Sequence, residues 1–205
     1  IIISRSCLVD ELTLFLGIAS LYCLGKYAET HKHRWFWWGT ASLSLTLLSK
    51  FTFGYLLLPG LWLIRKQKHR PRPWFHLGIF LTIAMLPVVA WSLFTKSFNE
   101  QLIGGQETGE WHVLYVFNPT NLVEPIFWIN IFYHFARYAV TFAWLPLVMV
   151  GLWLGRQQKK LIPFYLWFGG AFLFILAFNI PSKTHSYYFL AMVPAAAFFG
   201  ALASE

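Results

Sequence analysis

Long apolar runs alternate with short basic clusters along this chain. Apolar stretches cover 8–27, 35–64, 74–95, 138–155, 161–179 and 187–203. Most are near the roughly 20 residues that a helix needs to cross a bilayer. They are too long for barrel strands of about 9–11 residues, and backbone in lipid must pair within its own segment or in a closed barrel. The pattern predicts an all-α fold: a polytopic transmembrane helical bundle of about seven membrane helices.

The 35–64 stretch departs from the rest. It is too long for one simple span and is broken in the middle by Ser49, Lys50, Thr52 and Gly54. Three basic clusters separate the apolar runs: Lys26, Lys32 and Arg34; Arg65, Lys66, Lys68, Arg70 and Arg72; and Arg156, Lys159 and Lys160. Together they hold 11 of the 16 Lys and Arg, and the positive-inside rule places all three on the cytoplasmic side. If the segments on both flanks of 35–64 are cytoplasmic, the stretch between them crosses an even number of times. That predicts a short hairpin of two helices, 35–49 and 51–64, with its tip near Lys50. The alternative, one long tilted helix with Lys50 snorkelling, misplaces a whole basic cluster.

The remaining long stretch, 96–132, carries Gly104-Gly105, Gly109, Asn118-Pro119 and Pro125, which mark turns. It is read as an outer-face loop, with apolar and aromatic residues from Val123 to Phe135 suited to a helix lying on the membrane surface. Six of the eight acids, Asp10, Glu11, Glu100, Glu107, Glu110 and Glu124, fall on that outer side. The whole, 1–205, is read as a single transmembrane domain.

Composition agrees with the pattern. Apolar residues make up 58% and charged residues 12% of the chain, against about 45–50% and about 25% in soluble domains. The net charge of +8 would suit nucleic acid, but its confinement to inter-span clusters points to cytoplasmic loops, so no nucleic-acid partner is expected. The partner implied is membrane lipid. Cys7 and Cys23 are separated by roughly 24 Å along one helix at about 1.5 Å per residue, which excludes a bridge between them. No metal-ligand spacing is present, and a divalent-metal requirement is left open. The opening Ile1-Ile2-Ile3-Ser4-Arg5-Ser6 has neither an initiator Met nor a charged signal-peptide start, and is read as the interior of a longer protein.

Charges outside the cytoplasmic clusters are the candidates for chemistry. Arg5, Asp10, Glu11, Lys50, Lys96, Arg137 and Lys183, with His134 and His185 nearby, fall at or near the outer interface. Lys96 and Arg137 read as helix-end anchors. Asp10, Lys50 and Lys183 come from three separate segments whose outer ends converge in this topology. One carboxylate near two ammonium groups suits a negatively charged leaving group such as a phosphate: the cations stabilise developing charge, and the carboxylate accepts a proton from the attacking group. Transporters place such residues in the same way, so a transporter or channel without covalent chemistry is the rival class.

Ser4-Arg5-Ser6, Asp10 and Leu14-Phe15-Leu16 resemble the R-S-x-x-x-D-x-x-x-x-F stretch of GT-C class, polyprenyl-phosphate-dependent glycosyltransferases, in the group of protein O-mannosyltransferases and aminoarabinose transferases. Gly39 to Pro59, with Leu48-Ser49-Lys50, resembles the group's G-L-x-x-L-T-K segment, with Ser49 for the usual Thr. His185-Ser186-Tyr187-Tyr188-Phe189-Leu190 with Pro194-Ala195 resembles its H-x-Y-Y-x-L-P-x-x-P-A stretch, with Ala191 where the first Pro is common. Lys183 stands just before it, where the family often has a Lys.

The resemblance implies a multi-pass protein of the bacterial inner membrane that moves a sugar from a polyprenyl-phosphate donor to a lipid, glycan or protein acceptor on the periplasmic face. It implies Asp10 and Glu11 as catalytic carboxylates, Lys50, Lys183 and Arg5 as donor-phosphate ligands, and His185 and Tyr187 as site lining. It also places a first outer loop with an acidic pair upstream of Ile1. No cofactor is implied beyond the lipid-linked donor itself.

Overall fold

Helix α1, Ile2–Thr30, is built on a seam. Thr13, Gly17, Ser20, Leu24 and Tyr27 are all buried, and their steps of four and three residues set them on one side of the helix. Leu12, Phe15, Ile18 and Tyr22 face outward. Small and hydroxyl-bearing seam residues let a partner backbone come close. The partner is α2, His33–Ser49, joined to α1 by a turn in which His31 takes the left-handed conformation (φ 58°) and its N–H bonds the Tyr27 carbonyl at 2.9 Å. Ser20 Oγ donates to the Gly39 carbonyl at 2.7 Å. A Cβ on Gly39 would stand 2.8 Å from Leu24 Cγ, so only glycine permits this approach.

The computed structural model describes residues 2–66, 73–102, 117–184 and 186–204, in two compact units, Ile1–Gln106 and Glu107–Glu205. Lys68, Arg70 and Arg72 of the second basic cluster, the turn glycines at 104, 105 and 109, Glu107, Glu110 and His185 lie outside the described residues.

The first unit contains the hairpin. Helix α2 stops at Ser49, a six-residue 3₁₀ segment runs from Phe51 to Leu56, and α3 follows as Leu57–Arg65. Three glycines show the reversal. Gly39 of α2 and Gly60 of α3 both lie against Leu24 of α1, while Thr46 and Leu56 both lie against Gly17. The chain therefore descends α2 and returns along the 3₁₀ segment and α3, as the charge parity requires. Helix α4, Pro73–Leu102, packs through Leu77, Phe80 and Ala84, with Phe80 against Gly60. Further along the helix, Leu86, Val89, Trp91, Leu93 and Phe94 are exposed. An apolar surface of this kind is solvated by lipid and would be costly in water.

The second unit opens with a 3₁₀ segment, Pro119–Val123, and α5, Pro125–His134, where the surface helix was expected. A π-helical turn, Phe135–Ala139, follows. Thr141 then has φ 61°, a conformation that β-branched residues rarely adopt. The outcome is a 99° bend between Pro125–Ala139 and Thr141–Gly155. Helix α6, Thr141–Gly155, packs on α9, Val193–Ser204, around Val140, Val148, Ala196 and Phe199. Between them come a 3₁₀ turn, Lys159–Leu161, α7, Ile162–Ala177, the short α8, Asn179–Thr184, and a 3₁₀ segment, Ser186–Met192. Phe164 and Phe198 stack with centroids 3.8 Å apart.

The described residues are almost all helical, with no strand among them. Among the described residues, two helical stretches are long and apolar enough to cross a membrane alone, Trp74–Thr95 and Lys159–Ala177, and the bent pair makes a third if it is one broken span. Two of the other apolar segments are divided, the hairpin by the Lys50 break and the last run by its 3₁₀ beginning, while 8–27 lies within the unbroken α1. The helical membrane bundle stands, with α1 and α4 longer, and several of the other helices more broken, than the apolar runs suggested.

Candidate functional site

Lys50 occupies the only non-helical position between α2 and the 3₁₀ segment. Its backbone is extended (φ −155°, ψ 97°), its N–H closes the last turn of α2 on the Thr46 carbonyl at 2.9 Å, and its own carbonyl accepts the Phe53 N–H at 3.0 Å. The side chain is half-buried at the C-terminal end of α2, where the helix dipole favours a cation.

The α1–α2 register sets what lies level with Lys50. Thr46 is level with Gly17. Four residues further along α2, about 6 Å, is Lys50, and the same step back along α1 reaches Thr13. Asp10 and Glu11 lie within about one more turn of the α1 backbone. Glu11 is exposed; Arg5 and Asp10 belong to the opening turns of α1. The structure thus brings the Lys50 turn and the first turns of α1 to one end of the first unit. Helix α2 has 17 residues, so this end lies about 25 Å from the basic end, a distance close to the roughly 30 Å hydrocarbon thickness.

In the second unit, Lys183 lies in α8 and Tyr187 in the following 3₁₀ segment. These short elements are held by polar side chains that the sequence reading did not single out. Asn179, fully buried, accepts from the Asn118 N–H at 2.9 Å and from Asn121 Nδ2 at 3.1 Å, and donates to the Asn118 carbonyl at 2.9 Å. Asn118 Oδ1 in turn caps the 3₁₀ segment through Thr120 N–H at 3.0 Å. Trp167 Nε1 donates to the Ala191 carbonyl at 2.8 Å, and Phe189 is buried against the His134 ring. The only sequence signal for Asn179 is a polar residue at the end of an apolar run, two positions before Pro181.

His134 and Ser182 extend this polar end. The buried His134 Nδ1 and Ser182 Oγ have no hydrogen-bond partner among the described residues. Arg137, one turn from His134, donates to the Tyr133 hydroxyl and lies over the Tyr133 and Tyr138 rings at 5.5 and 5.3 Å. It is exposed and stacked, as an interfacial anchor would be.

Each unit therefore has one end carrying residues of the sequence motifs. The Lys50 end has a carboxylate-bearing helix start beside a cation at a chain reversal. The α8 end has a lysine on a short helix tied down by buried amides.

No curated protein and no solved structure matches the chain. Residues 3–91 match the model of the dolichyl-phosphate-mannose-protein mannosyltransferase family, a stretch that takes in Arg5, Asp10, Glu11 and Lys50.

Proposed function

We propose that this protein is a membrane glycosyltransferase that takes its sugar from a polyprenyl-phosphate donor and passes it to an acceptor on the periplasmic face of a bacterial inner membrane. The observation that carries the reading is the coincidence of the family match with the Lys50 end: the matched segment contains both the reversal at Lys50 and the α1 turns level with it.

In this reading the bond from the sugar's anomeric carbon to the phosphate oxygen breaks, and a bond to the acceptor oxygen or nitrogen forms. The polyprenyl phosphate leaves with an additional negative charge, which Lys50, Arg5 and Lys183 stabilise. The acceptor's proton passes to Asp10, with Glu11 as the neighbouring carboxylate. His185 and Tyr187 line the sugar site. Lys183, His185 and Tyr187 lie beyond the matched stretch, so their roles rest on the motif resemblance of residues 183–195 alone.

The test is sugar transfer by the purified intact protein from a synthetic polyprenyl-phosphate sugar. Turnover that is lost in Asp10→Asn supports the reading. Substrate flux across vesicles with no transfer under any donor would favour the transporter class instead.

A further inference from the structure

The sequence places basic residues in separate loops; the structure joins two of those clusters on one surface. At the end of the first unit opposite Lys50, the His76 ring of α4 stacks on His33 at 6.0 Å and an interplanar angle of 22°. The same ring lies 6.4 Å from Tyr27 and 5.8 Å from Phe36. The Arg65 guanidinium at the end of α3 lies 6.0 Å over the Trp74 ring at the start of α4. The ends of α1 and α3 and the starts of α2 and α4 thus converge.

This surface is positive and aromatic at once. Lys26, Lys32, Arg34, Arg65 and Lys66 are its described lysines and arginines, and Glu29 is the acid among the described residues there. Glu29 is already engaged by Lys26 at 3.0 Å. Arg34 lies over Trp35 at 5.3 Å and Lys66 over Trp62 at 5.2 Å. Trp38, Trp74 and Phe75 are 66%, 73% and 62% exposed. Tryptophan prefers the headgroup layer, so these pairs hold the cations at phosphate depth.

We propose that this surface is a docking site for anionic phospholipid headgroups. A soluble polyanion would satisfy the cations but leave Trp74, Phe75 and the outer surface of α4 in water. A phospholipid satisfies both: its phosphate meets Arg34, Arg65 and Lys66, and its glycerol and upper chains cover the rings. The phosphate charge complements the excess of cations, and each cation near an anionic surface contributes about a fivefold preference.

The intact protein is reconstituted in nanodiscs of phosphatidylcholine mixed with phosphatidylglycerol, and the lipids retained are counted by native mass spectrometry. The expected result is a phosphatidylglycerol preference that falls by about fivefold for each of Arg34→Ala, Arg65→Ala and Lys66→Ala. It persists in the charge-conserving Arg34→Lys variant and in Lys159→Ala/Lys160→Ala, which removes two cations from the second unit. An unchanged preference in the Arg34→Ala/Arg65→Ala/Lys66→Ala protein overturns the site. So does an equal loss from Lys159→Ala/Lys160→Ala, which would mean charge in general rather than this surface. Displacement of the retained lipid by inorganic phosphate would assign the cations to free phosphate and also overturn it.

Discussion

The Asn179 side chain grips the Asn118 backbone from both sides: its Nδ2 donates to the Asn118 carbonyl and its Oδ1 accepts the Asn118 N–H, each at 2.9 Å. One fully buried amide thereby fixes a loop 61 residues away and the start of the helix that bears Lys183. Asn179→Leu removes these hydrogen bonds and leaves the Asn118 groups and Asn121 Nδ2 to be satisfied elsewhere. A loss of about 1–3 kcal/mol per orphaned buried group is expected. Asn179→Asp keeps the acceptor but loses the donor and buries a carboxyl group, so it should not rescue. Hydrogen exchange in 117–124 should accelerate in both variants; unchanged protection there would show that the clamp does not hold the loop.

Gly151 lets α6 and α9 meet backbone to backbone. A Cβ at this position would overlap the Phe199 carbonyl oxygen and stand 2.6 Å from its carbon. The obstacle is backbone, so no rotamer change relieves it. Gly151→Ala should separate the helices and lower stability by about 1–3 kcal/mol or more, the usual cost of overpacking. Gly169→Ala, where the space is open, is the control and should be nearly neutral. Equal melting temperatures for the two variants in detergent would refute the close contact.

The hairpin makes a statement about sides. Lys50 sits at the reversal and Lys66 just after the return. With Cys7 and Cys23 replaced, Lys50→Cys and Lys66→Cys should react from opposite sides with a membrane-impermeant maleimide in intact cells. Labelling of both from one side would mean that the hairpin fails to cross the bilayer.

What was legible in the sequence followed from charge and apolar length. Lys50 inside an apolar run, together with basic clusters on both flanks, required a reversal, and the reversal is there. The α1–α2 seam rests on Gly17, Ser20 and Gly39, whose role is visible only once the partner helix is in place. The Asn179 clamp joins a side chain to backbone far away in the chain, and no periodicity records such a bond. The bend after Ala139 was equally hidden. A π-turn and a left-handed Thr141 supply it, where a sequence reader would look for Gly or Pro. The 138–155 run therefore read as straight. On the candidate site, the motif at 4–16 and the Lys50 segment lie in the matched stretch, while 183–195 is carried by a 3₁₀ segment that its sequence does not announce.

The sharpest prediction separates Asp10 from Lys50. Both belong to the same end of the first unit, but the proposed roles differ in when they matter. Asp10 accepts a proton only as the new bond forms, so Asp10→Asn should lower turnover with little change in donor affinity. Lys50 meets the donor phosphate before and during transfer, so Lys50→Ala should weaken donor binding as well. A hydrogen bond to a charged group contributes about 1.5–3 kcal/mol, or roughly ten- to a hundredfold in affinity. Lys50→Arg keeps the charge and should recover part of the binding, though its broader head fits a bidentate geometry that Lys does not use. Arg137→Ala, at the stacked anchor over Tyr133 and Tyr138, should leave both quantities nearly unchanged. The measurement is steady-state transfer and equilibrium binding with one polyprenyl-phosphate sugar, for all four variants in the same nanodiscs. Normal turnover and normal affinity in both Asp10→Asn and Lys50→Ala would remove the Lys50 end from the reaction.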